Sequence, residues 1–160
     1  MMFRIGFGVD VHQLKSNLPL WVGGIEIPSD KGALGHSDAD VLLHAICDAI
    51  LGAANLRDIG FHFSDKDPQY KGIDSKILLA KVYKLMVNHS FQFVNLDATV
   101  ILEEPKLNPH VPSMQETIAN LLHCDIDRIS IKATTHEKMD SFGEGKAIKA
   151  YATVLLEKQK

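Results

Sequence analysis

Apolar residues recur along the chain at two spacings, and these separate predicted helices from predicted strands. Spacings of three and four residues predict helices over 38–54, 75–89 and 113–122. Alternating or short continuous apolar segments predict strands over 3–11, 20–27, 91–102, 129–135 and 147–156. The pair Gly23-Gly24 marks a bulge or tight bend inside the second of these strands.

Polar positions refine two of these elements. Ser37 is the expected N-cap of the first helix, with Asp40 three residues later as the acid of a capping box. Along 91–102 one of the two alternating sets is the more apolar, so we expect that set to face the core. Its members are Gln92, Val94, Leu96, Ala98, Val100 and Leu102.

Strands interleaved with three helices predict an α+β protein. We expect a single-layer sheet of about four main strands with the helices packed on one face. The second face of such a sheet stays uncovered in one chain, and association of subunits is a natural way to cover it.

Composition narrows the class of protein. The 160 residues suit one domain, 1–160, and the balance of 46% hydrophobic and 23% charged residues is ordinary. A net charge of −3 gives no support to a nucleic-acid surface. No apolar segment approaches ~20 residues and no signal peptide is evident, so no membrane association is expected. Cys47 and Cys124 are too few for a disulfide scaffold and predict free thiols in a reducing compartment, the cytoplasm.

The most informative polar residues are Asp10, His12 and His44. Asp10 and His12 lie two apart at the end of a predicted strand, so both side chains point to one face. On the following helix Asp40, His44 and Asp48 share the face opposite the apolar stripe. One carboxylate and two imidazoles predict a three-ligand metal site with an open position, which suits zinc.

The same ligand set permits a second interpretation. Two histidines and one carboxylate also form the site of non-haem iron oxygenases. That class usually has His-x-Asp on a strand-rich barrel, whereas this chain has Asp10-Val11-His12 and a ligand on a helix. A surface or core role is also common for a single histidine, so both alternatives stay open at this point.

Two further segments carry candidate chemistry without a distinctive motif. Residues 58–67 combine glycine with carboxylates, which suits a sugar phosphate, although a solvated acidic loop has the same composition. Residues 132–138 end a strand with hydroxyls, two lysines and Glu137, whose carboxylate suits Mg²⁺. No Walker A loop, G-x-S-x-G elbow or G-x-G-x-x-G fingerprint is present, and no enzyme nucleophile stands out.

Several short motifs appear in a fixed order between residue 5 and about residue 138. They are Gly8-Val9-Asp10-Val11-His12 and the segments 35–45, 48–54, 58–60, 63–68, 72–75, 105–106, 109–112 and 132–138. In order and spacing this set resembles the 2-C-methyl-D-erythritol 2,4-cyclodiphosphate synthase family of the non-mevalonate isoprenoid pathway.

The resemblance implies a phosphorus–oxygen lyase that carries out intramolecular phosphoryl transfer. In such a reaction the 2-phosphate of 4-diphosphocytidyl-2-C-methyl-D-erythritol 2-phosphate attacks the β-phosphorus, releases CMP and closes 2-C-methyl-D-erythritol 2,4-cyclodiphosphate. Because the substrate carries the nucleophile, the enzyme needs none of its own. The protein then has to fold the substrate into line and neutralise charge, which two metal ions do well.

The resemblance also implies a role for each matching position. Asp10, His12 and His44 would hold zinc, Glu137 would help to hold Mg²⁺ or Mn²⁺, and His36 and Thr135 would stabilise the transition state. The substrate site implied in this way comprises Ser37, Asp58, Ile59, Gly60, Phe63, Asp65, Asp67, Leu102, Pro105, Lys106, Leu107, Asn108, Ala133, Thr134 and Phe142.

The resemblance further implies a homotrimer with inward-facing sheets and with active sites between subunits. One segment departs from the family pattern: 138–145 is about two residues shorter than usual and lacks an arginine. That departure is the only support for a third hypothesis, a non-enzymatic module that binds metal and a cytidine nucleotide.

Overall fold

The computed structural model describes residues 2–159 as a mixed α+β chain. Its strands are β1 (Met2–Ser16), β2 (Leu20–Val22), β3 (Ile25–Ile27), β4 (Lys31–Leu34), β5 (Phe91–Ile101), β6 (Ile129–Thr134) and β7 (Ala147–Lys158). Its helices are α1 (Val41–Ala53), α2 (Ile59–His62), α3 (Ser75–Asn88), α4 (Val111–Leu121) and α5 (Asp140–Gly143). Short 3-10 turns cover Pro68–Tyr70, Asn108–His110 and Ile126–Arg128.

The main sheet has five strands in the order β4-β1-β7-β5-β6. Strand β7 is antiparallel to β1 and to β5, whereas β5 and β6 are parallel. The four long strands and the helices packed on one face confirm the predicted fold class. The fifth strand, β4, lies in a segment for which the sequence pattern predicted no strand, and β2 with β3 forms a separate hairpin.

Two glycines of β1 bring the backbone of α1 directly against the sheet. A Cβ atom at Gly6 would lie 1.8 Å from the carbonyl oxygen of Ala49, and one at Gly8 would lie 2.0 Å from that of Ala45. Only glycine permits this approach, and alanines complete it on the helix side. This contact sets the distance between α1 and β1 and so places His44 beside the end of that strand.

The first helix begins later than the sequence pattern predicted. Its N-cap is Asp40 rather than Ser37, and the fully buried carboxylate of Asp40 replaces the expected capping box. The physical reason is that this carboxylate also closes the turn of the β2–β3 hairpin. It accepts hydrogen bonds from the backbone N–H groups of Gly23, Gly24, Leu42 and Leu43.

Two strands also differ from their predicted form. Gly23 and Gly24 have φ values of 65° and 80°, which suits a two-residue hairpin turn, so 20–27 is two strands rather than one. In β5 a register shift between Phe93 and Asn95 places Phe91 and Phe93 in the core together with Leu96. The predicted alternation was therefore wrong for the first residues of β5, because a bulge exchanges the two faces.

The face of the sheet away from the helices changes character from one edge to the other. Strand β1 exposes Ile5, Phe7, Val9 and Val11 there, with exposed fractions of 74, 62, 41 and 50%. At the β6 side the same face is polar, and Lys132 forms an ion pair with Asp97 of β5. No helix within residues 2–159 is both long and apolar enough to cross a membrane.

Candidate metal centre

The side chains of Asp10, His12 and His44 meet at the end of β1. Asp10 and His12 alternate with exposed residues on β1 and point toward α1, and His44 points back from the first turn of that helix. Asp10 Oδ2 lies 2.9 Å from His12 Nε2 and 2.9 Å from His44 Nδ1. The two ring nitrogens lie 3.3 Å apart. The sequence prediction that these three residues form one cluster is confirmed.

The donor set fits a divalent metal ion. With zinc–ligand bonds of about 2.0 to 2.1 Å, the ligand atoms of a tetrahedral site lie about 3.3 Å apart. The three separations of 2.9, 2.9 and 3.3 Å are close to that value, so one ion can contact all three atoms. Three protein ligands leave a fourth position for water or substrate, as in catalytic rather than structural zinc sites.

When no metal is bound, the electrostatics of the cluster favour the charged forms of Asp10 and His44. Burial raises the pKa of Asp10, but hydrogen bonds from His12 and His44 outweigh it and lower the pKa to about 2. Burial lowers the pKa of His44, but its hydrogen bond to Asp10 and the negative charges of Asp10, Asp40 and Asp38 together raise the pKa above its usual value. A metal ion therefore finds the carboxylate ionised and competes with a proton for His44 Nδ1.

The second ring nitrogen of His44, Nε2, also has hydrogen-bonding partners. Its Nε2 lies 2.8 Å from the hydroxyl oxygen of Ser75 and 3.1 Å from that of Ser37. Ser75 in turn bonds the carboxylate of Asp38. Asp38 and Ser75 were not predicted as site residues, because no spacing in the sequence relates the first residue of α3 to the segment before α1.

The other acidic residues of α1 have structural partners instead. Asp48, one turn after His44, accepts a hydrogen bond of 2.7 Å from the backbone N–H of Ile59. That bond ties α2 to the end of α1 near the cluster. Asp58 is the N-cap of α2, with its carboxylate on the N–H of Phe61. The structure thus brings Asp58, Ile59 and Gly60 to the helix that carries His44.

The remaining predicted residues of this loop lie further along the surface. Phe63 packs edge-on against Tyr70 with ring centroids 5.5 Å apart. Asp67 caps the 3-10 turn Pro68–Tyr70, and Asp65 is exposed. His36 is exposed, and its carbonyl oxygen accepts a bond of 2.7 Å from Gly72, which holds the segment before α1 against the segment before α3.

The predicted magnesium and cytidine residues occupy the opposite edge of the sheet. Thr135 Oγ1 donates a hydrogen bond of 3.0 Å to Glu137, just after β6. The N–H of Leu102 bonds the carbonyl oxygen of Thr134, which joins the ends of β5 and β6. Of the predicted cytidine segment, Leu102 and Leu107 are buried, Lys106 and Asn108 are exposed, and Pro105 and Ala133 are half-buried.

The metal cluster does not meet the predicted magnesium and cytidine residues within one chain. The register aligns Asp10 with Ala150, Ala150 with Val100 and Val100 with Ala133. Three strand spacings of about 4.8 Å therefore put the Cα atoms of Asp10 and Ala133 about 14 Å apart. Phe142, on α5, lies 5.0 Å from the ring of His136 and 4.7 Å from Lys149 Nζ, on the open side of the sheet.

Two surface cavities lie away from the metal cluster. Two cavities of about 410 and 440 Å³ lie at the other end of the sheet, where Phe91 begins β5 and His123 follows α4. Neither is lined by a residue of the metal cluster. The cluster itself is partly buried, since the side chains of Asp10, His12 and His44 are 26, 16 and 13% exposed.

The fold and the site together define an α+β protein with a candidate metal centre of three ligands. The model of the YgbB family matches residues 3–157. The chain is 57% identical over 154 residues to the 2-C-methyl-D-erythritol 2,4-cyclodiphosphate synthase of Porphyromonas gingivalis, covering 96% of this chain and 95% of that protein.

Solved structures agree with this assignment. The bifunctional IspDF of Campylobacter jejuni is 38% identical with a TM-score of 0.95, over 99% of this chain and 43% of that one. A complex of IspF of Plasmodium falciparum with CDP is 34% identical with a TM-score of 0.87, over 99% of this chain and 97% of that one. The chain belongs to the YgbB family, among the 2-C-methyl-D-erythritol 2,4-cyclodiphosphate synthases, and the resemblance drawn from the sequence motifs is confirmed.

Proposed function

We propose that this chain is a lyase that converts 4-diphosphocytidyl-2-C-methyl-D-erythritol 2-phosphate to 2-C-methyl-D-erythritol 2,4-cyclodiphosphate and CMP. The observation that carries the proposal is the Asp10–His12–His44 cluster, held at the end of β1 in a chain that belongs to the synthase family. The three ligand atoms leave one coordination position for an oxygen of the substrate.

The bond changes need no nucleophile from the protein. An oxygen of the 2-phosphate forms a bond to the β-phosphorus while the bond from that phosphorus to the α-phosphate bridging oxygen breaks. CMP leaves with that oxygen and its electron pair. The residues of the chain therefore have to hold the diphosphate and the 2-phosphate in line, which accelerates the step by positioning.

We propose zinc for the cluster of Asp10, His12 and His44, and Mg²⁺ or Mn²⁺ for Glu137. When bound, such ions supply positive charge that neutralises the phosphates of the transition state. The hard carboxylate of Glu137 suits the second ion. We propose that His36 and Thr135 donate hydrogen bonds to phosphoryl oxygens. The exposure of His36 beside the cluster segment supports this role, and so does the position of Thr135 next to Glu137.

The substrate site proposed for this chain has two parts. The methylerythritol phosphate is surrounded by Ser37 and by residues of the loop after α1, namely Asp58, Ile59, Gly60, Phe63, Asp65 and Asp67. The ends of β5 and β6 hold the cytidine: Leu102, Pro105, Lys106, Leu107, Asn108, Ala133 and Thr134. The CDP complex of the P. falciparum relative supports a cytidine nucleotide as part of the substrate. Phe142 completes the site from the shortened 138–145 segment.

A homotrimer with active sites between subunits accounts for the separation of these parts. The cluster and the β6 end share one end of the sheet but lie about 14 Å apart within a chain. The apolar side chains that β1 exposes, from Ile5 to Val11, are suited to burial against a second sheet. In the proposed trimer the cluster of one subunit meets the Glu137 segment of its neighbour.

Two further features belong to the proposal. We propose that residues 1–160 work as one domain, since the family match spans nearly all of them. We also propose the cytoplasm as the location, because the free thiols of Cys47 and Cys124 fit a reducing compartment.

The activity is tested by ³¹P NMR of the purified chain with the cytidyl diphosphate substrate, Zn²⁺ and Mg²⁺. We expect CMP together with two coupled cyclic-diphosphate resonances, and we expect a chelator to abolish both. Intact substrate in the presence of tightly bound zinc would instead favour a metal- and nucleotide-binding module without turnover.

The placement of the sites is tested by mixing His44→Ala, which is expected to be nearly inactive, with Glu137→Ala at a Mg²⁺ concentration far below the one that this second variant needs for half-maximal activity. If each site combines the cluster of one subunit with Glu137 of the next, random mixed trimers regain about one quarter of the sites. If each site lies within one subunit, the mixture shows only the residual activity of the two variants measured separately. Each variant reassembled alone is the control.

A further inference from the structure

The two ring nitrogens of His44 have different partners. Nδ1 faces the metal position and lies 2.9 Å from Asp10 Oδ2. Nε2 points the other way, 2.8 Å from the hydroxyl oxygen of Ser75. A metal ion can bind Nδ1 only when that atom carries a lone pair, so the proton of the neutral ring has to reside on Nε2. The group opposite Nε2 therefore matters to metal binding.

The hydroxyl of Ser75 is oriented by Asp38. Both carboxylate oxygens of Asp38 are engaged by Ser75: Oδ1 by the hydroxyl and Oδ2, at 2.9 Å, by the backbone N–H. A carboxylate only accepts, so the hydroxyl proton of Ser75 points to Asp38. The hydroxyl oxygen then presents only lone pairs to His44, which makes Nε2–H the donor.

We propose that Asp38, acting through Ser75, is a positioning residue of the metal site. By orienting the Ser75 hydroxyl, Asp38 makes His44 Nε2–H the donor to Ser75. The lone pair of Nδ1 is then available to the ion. Metal-ligating histidines commonly donate their other N–H to such an acceptor, which fixes the ring and increases the basicity of the ligand. This inference rests on the metal assignment of the proposed function, and it adds two residues that neither coordinate the ion nor contact the substrate.

The surrounding structure holds this chain of hydrogen bonds in place. Ser75 is fully buried as the first residue of α3, and the N–H of Asp38 bonds the carbonyl oxygen of Ile73 at 3.1 Å. A second bond, from Gly72 to His36, fastens the same two segments together. The relay therefore connects three elements: α1 through His44, α3 through Ser75, and the segment that precedes α1.

Ser37 provides a second, weaker acceptor for the same N–H. Its hydroxyl oxygen lies 3.1 Å from Nε2 and also accepts the backbone N–H of Ala39 at 3.1 Å. Loss of Ser75 would thus leave His44 with a longer bond to a shared oxygen. We expect metal affinity to be weakened by that loss, with a residual affinity that Ser37 maintains.

The test compares zinc affinity among three variants, measured by competition with a chromophoric chelator on the purified full chain. Asp38→Asn turns one of the two acceptors into a donor, and Ser75→Ala removes the relay hydroxyl. For both we expect affinity to fall about 10- to 100-fold. The matched control is Asp74→Asn, which removes the N-cap charge of the same helix and leaves the relay intact. Its zinc affinity should stay within a few-fold of the wild-type value.

A spectroscopic readout separates positioning from general destabilisation. In zinc-loaded protein labelled with ¹⁵N-histidine, the Nε2–H proton of His44 should give a slowly exchanging signal. We expect Ser75→Ala to broaden that signal by solvent exchange while the circular dichroism spectrum stays unchanged. If either Asp38→Asn or Ser75→Ala fails to fold, the other still decides the question.

Wild-type zinc affinity in both relay variants would overturn the inference, and so would an equal loss in Asp74→Asn. A wild-type chain that binds no zinc would overturn the metal assignment as well. Zinc binding that depends on Asp38 in a chain without turnover would support the inference and contradict only the proposed reaction.

Discussion

The two ends of the proposed active site are built in different ways. Asp10, His12 and His44 sit against the packed contact of β1 with α1, and their side chains are 26, 16 and 13% exposed. Glu137 lies in an exposed loop after β6, and its neighbourhood is unusual in its backbone. Glu137, Lys138 and Asp140 all have positive φ values, 52°, 61° and 58°, although none is glycine.

This difference separates a cluster that is held by hydrogen bonds to the packed core from a loop residue that is held mainly by local contacts. Around the cluster, hydrogen bonds within the chain run from Asp10 through His44 to Ser75 and on to Asp38. Glu137 is bonded mainly to Thr135, two residues away. Left-handed backbone at non-glycine residues persists where the surroundings hold it, and a neighbouring subunit is the contact that the proposed trimer supplies.

Removal of a ligand from the ordered end has the largest expected effect. We expect His44→Ala to abolish zinc binding and to lower activity about a thousandfold, equivalent to about 4 kcal/mol of transition-state stabilisation. The fold should survive, because the apolar face of α1 is unchanged. Zinc content by mass spectrometry and turnover by ³¹P NMR check this, and full zinc occupancy in the variant would refute the ligand assignment.

Disruption of the packing beneath the cluster ranks next. Gly8→Ala forces a Cβ to within 2.0 Å of the carbonyl oxygen of Ala45, so strand and helix have to separate. We expect a loss of about 3 kcal/mol in the free energy of unfolding, together with weaker zinc binding. The control is Gly52→Ala in α1, where nothing lies within 4 Å and a gain of about 0.5 to 1 kcal/mol is expected. Urea unfolding measures both, and equal effects would contradict the contact.

The charges of the metal-free cluster give a smaller, pH-dependent effect. The pKa of Asp10 is lowered from 3.8 to about 2, so its contribution to stability is present above pH 4 and is lost toward pH 2. The raised pKa of His44 gives a contribution present below pH 6.5 and lost as the pH rises through the raised value.

In metal-free protein, Asp10→Asn should therefore cost on the order of 2 kcal/mol between pH 4 and pH 6.5. The difference from wild type should shrink at lower and at higher pH. Thermal unfolding across the pH range measures it, and a difference that is independent of pH would show that the pair does not titrate as described.

A change at the exposed end should be the mildest of these. Glu137→Ala is expected to raise the Mg²⁺ concentration needed for half-maximal activity about tenfold, equivalent to about 1.4 kcal/mol of ion binding. Zinc content and stability should stay at wild-type values, because Glu137 has no partner in the packed core. An unchanged Mg²⁺ response would show that the second-metal assignment is wrong.

The sequence predicted those parts of the molecule that depend on periodicity. Alternation along β1 was enough to place Asp10 and His12 on one face, and helical spacing was enough to set His44 apart from the apolar stripe of the first helix. Features that depend on a contact distant in sequence were missed or wrong. The cap of α1 is Asp40 because a hairpin turn 16 to 17 residues earlier bonds the same carboxylate, and the bulge in β5 leaves no mark in the pattern of polar residues.

The same limit applies to the site. Ser75 and Asp38 belong to motifs that the sequence displays, but only the packing of α3 against α1 brings them to His44. The separation of Glu137 from the cluster follows from strand order, since β7 and β5 lie between β1 and β6. Strand order is not encoded in local spacing, so the pattern of site residues alone did not show which of them one chain brings together; only the family resemblance implied sites between subunits.

The close approach of β1 to α1 has a consequence for the mutational tolerance of the chain. Any codon change that replaces Gly6 or Gly8 adds at least a Cβ, and at both positions that atom meets backbone rather than a movable side chain. A saturation scan should therefore find these two positions as intolerant as the metal ligands beside them. Intolerance at Gly6 and Gly8 would then result from the short distance between β1 and α1 and not from a role in metal binding. Assays of metal content would distinguish these two causes.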